Sequence, residues 1–401
     1  MYAVTPPLSP RVDRLQSSAI RDLLELTARS DVISLAGGLP DAELMPLDRI
    51  AAAADAALSR RQVLQYTETP GWTALREVLA ARESERVGRS VPVGEIVVTH
   101  GSQQALSLLT DVLVDPGALV IVEDPAYVGA LQVFRAAGAR VVAVPLDGEG
   151  MRISVLRELL GQGQRPAIVH TVTNFHNPGG VTMSPARRRD LAGLADQYGF
   201  WVIEDDPYGE LAFEDPTPAP AATYSANVIR LSSTSKILAP ALRVGWMVAP
   251  GKVCRAVELF KQGVDLCGSA LTHQIAAELL ADTEWLAAHL NAVRRIYGLR
   301  AEALAGAVRK RFGDRVLARE ATGGMFMWAS FTDGTNTRAL LPHALDAGVA
   351  YVPGSAFAVA TNHARSMRLC FTTCEVQTLK IAVDRLARAH NALSSRARTR
   401  G

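Results

Sequence analysis

The sequence has 401 residues, of which 48% are hydrophobic and 20% are charged, and its formal net charge is +2. These values are typical of a globular protein and give no positive surplus for binding nucleic acid. No stretch stays apolar over the ~18 residues of a membrane span, and the first residues lack the pattern of a signal peptide. We therefore expect no nucleic-acid partner, no membrane partner and a cytoplasmic location.

The four cysteines and eight histidines indicate neither a disulfide framework nor a metal site. The cysteines are few for a chain of this length and lack the paired spacing of a zinc site, while the histidines are scattered singly. We expect free thiols and no bound metal.

Seven short apolar or β-branched runs alternate with amphipathic stretches through the first two thirds of the chain. The runs are residues 96–99, 119–122, 141–144, 167–170, 201–203, 228–231 and 244–248. Helical periodicity lies between most of them, for example over residues 187–198, where Leu191 and Leu194 share one face. This alternation predicts an α/β domain with a mostly parallel seven-stranded sheet whose two faces are covered by helices.

After about residue 271 the pattern changes. Long helical stretches over 272–312 are followed by strands near 325–328 and 367–371 and by a last helix over 375–393. This order is typical of a smaller α+β domain, with which the N-terminal residues are expected to pack. We predict a large domain of residues 46–271 and a small domain made of residues 1–45 and 272–401.

Polar and aromatic groups follow several of the predicted strands, at the edge where parallel sheets bind ligands. Gly101 and Ser102 open a helix after the first strand, and free N–H groups at such a helix start suit one phosphate group. Tyr127 follows the next strand and could stack on a flat heterocycle. An ordinary helix start and a tyrosine that packs on its own domain are the alternative interpretations.

Asp205 follows a later strand, and an aspartate there could hold a pyridinium nitrogen protonated while Asn177 and Tyr208 bond a ring hydroxyl. The segment around Asn177 and the segment around Asp205 and Tyr208 are also turn-like, so ordinary turns are the simpler interpretation.

Lys236 is the first of only five lysines in a chain whose other basic residues are arginines. Lysine can lose its proton and form a Schiff base, which arginine cannot. Ser233, Ser235 and Arg243 surround it in sequence and suit a phosphate. We therefore predict a Schiff-base lysine, with an ordinary solvated lysine as the alternative.

In chain order these groups are the ones that pyridoxal 5'-phosphate requires. The chain resembles the fold-type I pyridoxal-phosphate enzymes of aminotransferase class I/II. Within these it is most similar to the 2-aminoadipate/kynurenine aminotransferase group, which also includes the catalytic half of the MocR-type regulators. The resemblance runs from near Gln16 to the last helix, and its matching segments are residues 33–40, 64–66, 101–106, 177–178, 203–211, 235–245 and 351–354.

The resemblance implies that Lys236 carries the Schiff base and moves a proton, that Asp205 pairs with the pyridinium nitrogen and that Tyr127 stacks on the ring. It implies further cofactor contacts from Ser102, Gln103, Asn177, Tyr208, Ser233, Ser235 and Arg243. Tyr66 would reach the phosphate of a neighbouring subunit, so a homodimer with shared active sites is expected. Substrate contacts would come from Arg21, Gly38, Asn177 and Arg368.

Two positions depart from the family pattern. Gly179 stands where the family commonly has threonine, which removes a hydroxyl and is expected to loosen a turn near the cofactor. Thr234 replaces the usual aromatic residue between the two serines. We expect both departures to affect specificity or rate.

The resemblance implies an enzyme that moves an amino group between an L-amino acid and a 2-oxo acid in ping-pong fashion, with 2-oxoglutarate as one acceptor. A lyase or an oxidase that uses the same cofactor is the alternative, because the fold alone does not select the outcome. A DNA-binding regulator is less expected, because the resemblance begins close to Met1, which leaves no winged-helix segment, and the chain has no basic surplus. The side chain of the natural substrate is left open.

Overall fold

The structure is a computed structural model that describes residues 8, 9, 12 and 31–398, with only the helical backbone of residues 394–398. Its strands are β1 (Ile33–Ser34), β2 (Ile96–Thr99), β3 (Leu119–Asp124), β4 (Arg140–Asp147), β5 (Gly150–Met151), β6 (Ile168–Val172), β7 (Trp201–Asp205), β8 (Val228–Ser233), β9 (Gly245–Val248), β10 (Val316–Ala318), β11 (Phe326–Phe331), β12 (Val349–Ala350), β13 (Val352–Pro353) and β14 (Ser366–Cys370).

Helices cover most of the remaining described chain. The longer ones are Leu47–Leu58, Thr73–Val87, Ser102–Leu113, Val128–Ala136, Ile153–Gly161, Pro185–Tyr198, Gly251–Val264, Ala270–Ala281, Thr283–Phe312, Thr337–Asp346 and Val376–Arg398. The predicted helical stretch over 272–312 is divided in two, because the side chain of Asp282 accepts a hydrogen bond from the Trp285 N–H and caps the second helix.

The large sheet has the strand order β2-β9-β8-β7-β6-β3-β4-β5. Its neighbours β4, β3, β6, β7 and β8 are parallel, whereas β9 is antiparallel to both β8 and β2. The seven predicted strands are all present. The eighth, β5, has two residues and pairs with β4 at the edge, and so short a strand leaves no periodic signal in the sequence.

Both faces of this sheet are buried under helices, as the sequence predicted. Along β3, Val120 and Val122 belong to one buried apolar cluster, while Ile121 between them belongs to the other. Successive side chains of a strand point to opposite faces, so an uninterrupted apolar run indicates burial on both. Because both faces of the sheet are buried, polar ligands are expected at its edge, where the carboxyl ends of the parallel strands lie.

The second sheet is antiparallel and has the order β10-β11-β14-β13. A separate parallel pair joins β1 near the N-terminus to β12, with Ile33 opposite Val349. The described part of the N-terminal segment therefore packs with the C-terminal part of the chain. The domain boundaries at residues 45/46 and 271/272 stay predictions.

Among the described helices, none combines the length and the apolar character that a bilayer crossing requires. The cytoplasmic location stays a prediction.

Candidate active site

A cavity of about 480 Å³ lies at the carboxyl ends of the large-sheet strands. It brings together nearly all of the predicted site residues, namely Gly38, Ser102, Gln103, Tyr127, Asn177, Asp205, Tyr208, Ser233, Ser235, Lys236, Arg243 and Arg368. Tyr66 does not line it and is 77% exposed. Arg21 lies outside the described residues. The roles assigned to these residues stay predictions.

The cavity has two sides that come from distant parts of the chain. We call the cavity residues at or after the carboxyl ends of β2, β3, β6, β7 and β8 the large-sheet side. We call Gly38, Phe326 of β11 and Arg368 of β14 the small-sheet side.

Lys236 closes the short 3-10 turn Thr234–Lys236 directly after β8. Its Nζ donates a hydrogen bond to the carbonyl oxygen of Gly38 at 2.9 Å, so the amine spans the cavity from one side to the other. Burial lowers the pKa of Lys236 to about 8, and the positive charges of Arg368 and Arg243 act in the same direction. A neutral amine, which both imine formation and proton removal require, is therefore accessible near neutral pH.

Asp205 is the last residue of β7 and is buried. Its Oδ1 has no hydrogen-bond partner within the described part of the chain. Its Oδ2 lies 3.6 Å from Nε2 of His170, which is too far for a hydrogen bond. A buried carboxylate without compensation is costly, so this position suits a cationic ring nitrogen inside the cavity.

Tyr208 and Asn177 lie on the same side of the cavity. Burial raises the pKa of Tyr208, so its phenol keeps the proton that a hydrogen bond to a ring oxygen needs. The Asn177 Oδ1 accepts a hydrogen bond from Nη1 of Arg368 at 2.8 Å. Asn177 thereby joins the large-sheet side to the small-sheet side.

Tyr127 precedes the helix Val128–Ala136, and its hydroxyl donates to Oε1 of Gln103 at 3.1 Å. Burial raises the pKa of Tyr127 to about 12. The Nε2 of Gln103 donates to the carbonyl oxygen of Gly129 at 3.1 Å, so this amide orients the tyrosine ring and the turn that carries it. The backbone N–H of Gln103, at the start of a helix, is the group suited to an anion.

The phosphate-sized end of the cavity begins at two glycines. Gly101 has a φ of 78°, a conformation that favours glycine, and it directly precedes the helix Ser102–Leu113. A Cβ atom at Gly245 would overlap the backbone of Gly101. The absence of side chains at both positions exposes the helix start, where N–H groups and the helix dipole favour an anion.

Ser233, Ser235 and Arg243 complete this end of the cavity. The hydroxyl of Ser233 donates to Oγ of Ser235 at 2.8 Å, and Nη2 of Arg243 donates to the carbonyl oxygen of His100 at 2.7 Å. Two hydroxyls and one guanidinium beside a helix start form a donor set suited to a phosphate group.

Arg368 is buried between two aromatic rings. Its Cζ lies 4.2 Å from the ring centre of Phe326 and 5.2 Å from that of Phe357, and its Nη2 donates to the carbonyl oxygen of Ala36 at 2.7 Å. Its Nε has no partner among the described residues, and burial lowers the pKa of the guanidinium. The planar group is therefore held in one orientation at the cavity, which favours two-pronged binding of a carboxylate.

Sequence reasoning missed several residues in or near the cavity lining. Phe326 lines the cavity, and the ring of Phe357 packs on Arg368. The alternation of apolar residues along one strand does not reveal which other strand will pair with it, so these contacts could not be predicted. Val128 and Gln132 also line the cavity. Their spacing of one helical turn, directly after Tyr127, was a signal that could have found them.

The two departures from the family pattern are accommodated by close packing. The Gly179 N–H donates to Nδ1 of His176 at 3.0 Å, and a Cβ atom at Gly179 would lie 2.6 Å from Cδ2 of Leu146. Gly179 is thus buried beside a neighbouring leucine, and the expected loosening of the turn stays a prediction. Thr234 is also buried, and its hydroxyl donates to the carbonyl oxygen of Val244 at 3.1 Å.

The residues present fit pyridoxal 5'-phosphate. Among the described residues the Oδ1 of Asp205 has no hydrogen-bond partner, and the pKa of Lys236 allows a neutral amine. Glycine at positions 101 and 245 keeps Cβ atoms away from the Arg243 guanidinium and the Ser102 N–H, the groups that suit a phosphate. Fold and cavity together define a fold-type I pyridoxal-phosphate enzyme.

Comparison with known proteins identifies the family to which the chain belongs. The sequence model of the aminotransferase class I and II family matches residues 30–386, and the chain therefore belongs to this family. It is 40% identical over 381 residues to aromatic-amino-acid aminotransferase 1 of Thermococcus litoralis, covering 93% of this chain and 91% of the relative. It is 38% identical over 385 residues to the 2-aminoadipate transaminase of Thermus thermophilus, covering 94% of each.

A solved structure shows the same architecture. The multiple substrate aminotransferase of Thermococcus profundus superposes with a TM-score of 0.90 at 36% sequence identity, covering 97% of this chain and 98% of that chain.

Proposed function

We propose that this protein moves an amino group between an L-amino acid and a 2-oxo acid in a ping-pong reaction, with glutamate and 2-oxoglutarate as one of its pairs. The observation that carries the proposal is the convergence on one cavity of the Lys236 amine, the buried Arg368 guanidinium and the Asp205 carboxylate, whose Oδ1 has no hydrogen-bond partner in the described part of the chain. In the first half-reaction an amino acid leaves as its 2-oxo acid. In the second half-reaction another 2-oxo acid receives the amino group.

The large-sheet side would hold the cofactor. When bound, pyridoxal 5'-phosphate supplies an aldehyde that condenses with primary amines and a ring that accepts the electron pair of the α C–H bond. Asp205 would keep the ring nitrogen protonated and Tyr127 would cover the ring. The phosphate would be bound by the helix start together with Ser102, Gln103, Ser233, Ser235 and Arg243, and the ring oxygen by Asn177 and Tyr208.

Lys236 would move the proton. Its amine is held at the carbonyl oxygen of Gly38, on the side where the substrate carboxylate is expected. Because burial lowers its pKa to about 8, the amine can accept the α-proton and release it again without a large energetic penalty.

The small-sheet side would hold the substrate. Arg368 would bind the α-carboxylate through two parallel hydrogen bonds, with Gly38 closing over it. Any side chain at position 38 would crowd this site, since a Cβ atom there would lie 3.1 Å from Cζ of Phe326. We further expect Arg21 to bind the second carboxylate of glutamate or 2-oxoglutarate.

We also propose a homodimer in which Tyr66 reaches the cofactor phosphate of the partner subunit. Tyr66 is 77% exposed, and the apolar residues Leu64, Phe260 and Val264 are exposed as well. The proposed dimer would cover these side chains. Sedimentation at assay concentrations should show a dimer, and a fully active monomer would contradict this assignment.

The reaction is tested by incubating the holoenzyme with single amino acids, with and without 2-oxoglutarate. With the acceptor, we expect glutamate and the new 2-oxo acid in equal amounts. Without it, formation of the 2-oxo acid should stop after one equivalent per active site, as a ping-pong reaction requires. Continued formation without an acceptor would instead indicate a lyase or an oxidase.

A further inference from the structure

One carboxylate ties the loop after β13 to the end of β3. Asp124, the last residue of β3, accepts hydrogen bonds from the backbone N–H groups of Val359 at 3.2 Å, Ala360 at 3.3 Å and Thr361 at 2.7 Å. Nε2 of His363 lies 2.7 Å from its Oδ1. Four donors therefore converge on one buried carboxylate, and hydrogen bonds to an ionised group are stronger than neutral ones.

The pKa of Asp124 reflects this arrangement. Burial alone would raise it, but the hydrogen bonds from His363 and from the Thr361 N–H outweigh burial and lower it. The carboxylate is thus held in its charged form by the loop.

The two segments that meet in this contact are each connected to residues of the cavity. On the large-sheet side, only Pro125 and Ala126 separate Asp124 from Tyr127, and the Ala126 N–H donates to the carbonyl oxygen of Phe357 at 2.9 Å. On the small-sheet side, the ring of Phe357 packs on the Arg368 guanidinium. The contact therefore links the residue expected to cover the cofactor to the residue expected to bind the substrate carboxylate.

His363 adopts a backbone conformation that needs support. Its φ is 46°, in the left-handed region, which is uncommon for residues other than glycine, although histidine enters it more often than most. Its ring lies edge-on to Trp328, with the ring centres 5.9 Å apart, and points its Nε2 at Asp124. Such conformations persist where the surrounding contacts over-determine them, and they cluster at functional sites.

We propose that Asp124 and His363 are positioning residues of the reaction, which hold Tyr127 and Arg368 at a fixed separation across the cavity. The inference rests on the proposed function, because it assigns the cofactor to one side and the substrate to the other. Loss of the pair lets the two sides move apart, so cofactor binding and substrate binding weaken together.

The test uses substitutions at His363, because Asp124→Asn replaces one of the two oxygens that accept from the three backbone N–H groups and so disturbs the loop itself. His363→Gly relieves the backbone strain and removes the imidazole, while His363→Asn keeps a side chain that tolerates a positive φ and can donate a hydrogen bond. A matched control is available in Asp333→Asn. It breaks a second histidine–aspartate pair, Asp333 with His390 at 3.0 Å, and neither residue lines the cavity.

Two constants are measured for each variant: the Kd of pyridoxal 5'-phosphate for the apoprotein, and the KM of the holoenzyme for the amino donor. We expect His363→Gly to raise both by roughly tenfold, since a misplacement of about 1 Å far from the chemistry can cost up to about 100-fold. His363→Asn should recover part of the loss, and Asp333→Asn should leave both constants within about twofold.

Three results would overturn the proposal: wild-type constants in His363→Gly, a change in only one of the two constants, or equal changes in Asp333→Asn. Failure of the proposed function is distinguishable, because wild-type protein would then show no transamination, while the Kd for the cofactor still reports on the contact.

Discussion

The two sides of the cavity are built in different ways. On the large-sheet side, Ser102, Asp205 and Lys236 lie at or directly after the end of a strand, so their positions follow from their immediate neighbours in the sequence. On the small-sheet side, Arg368 is fixed by contacts with Ala36 and Asn177, which are 332 and 191 residues away in the chain. The first side depends on local structure and the second on the packing of the whole chain.

This difference corresponds to a division of chemical work. In the proposed function, the large-sheet side would supply the amine that moves the proton and the carboxylate that pairs with the ring nitrogen, whereas the small-sheet side would supply a fixed cation for substrate binding. Changes on the large-sheet side should therefore lower kcat, and changes on the small-sheet side should raise KM.

The largest effect is expected for Lys236→Ala. Without the amine, kcat should fall by ~10²–10⁴-fold or more, because general acid–base catalysis contributes about that much. Lys252→Ala is the matched control, since Lys252 is exposed and packs over Trp201 outside the cavity. Single-turnover measurements with one amino donor check this, and a Lys236→Ala rate within tenfold of wild type would refute a role in proton transfer.

A smaller loss is expected for Asp205→Asn. The neutral amide cannot stabilise a protonated ring nitrogen, so kcat should fall by ~10²–10³-fold at an unchanged Tm. The adjacent Asp206 gives the contrast, because it faces the buried Arg230 at 2.8 Å instead of the cavity. Asp206→Asn leaves that charge undercompensated and should lower the free energy of unfolding by roughly 3–5 kcal/mol. The assignment fails if the two variants lose stability equally and Asp205→Asn keeps its rate.

The same difference between local and long-range contacts explains which parts of the structure could be predicted from the sequence. The seven main strands and the polar groups at their ends were predicted because local alternation and turn chemistry determine them. The two-residue strands β1, β5, β12 and β13 are too short to show a pattern. Phe357 and the Asp124–His363 contact depend on pairing between distant segments, which one sequence does not reveal.

Arg368→Lys tests the small-sheet side. Lysine keeps the positive charge but loses the planar pair of donors, so the KM for the amino donor should rise about 10- to 100-fold, which corresponds to ~1.5–3 kcal/mol. kcat should change much less. Arg365→Lys is the control, because Arg365 is exposed and lies near Arg368 in the chain. A loss confined to kcat would place Arg368 with the reacting groups and would remove the distinction between the two sides.

The smallest effect is expected at Gly179, in the turn that carries Asn177 between the two sides. Threonine at this position would bring its Cβ to 2.6 Å from Cδ2 of Leu146, and overpacking of this kind costs ~1–3 kcal/mol of folding stability. Gly179→Thr should therefore lower Tm, and Leu146→Ala in the same chain should recover part of the loss by opening space. A double-mutant cycle measured by thermal unfolding checks the coupling. If the two changes are additive, the leucine is not what excludes a side chain from this turn, and the family's usual threonine is disfavoured here for a reason other than packing.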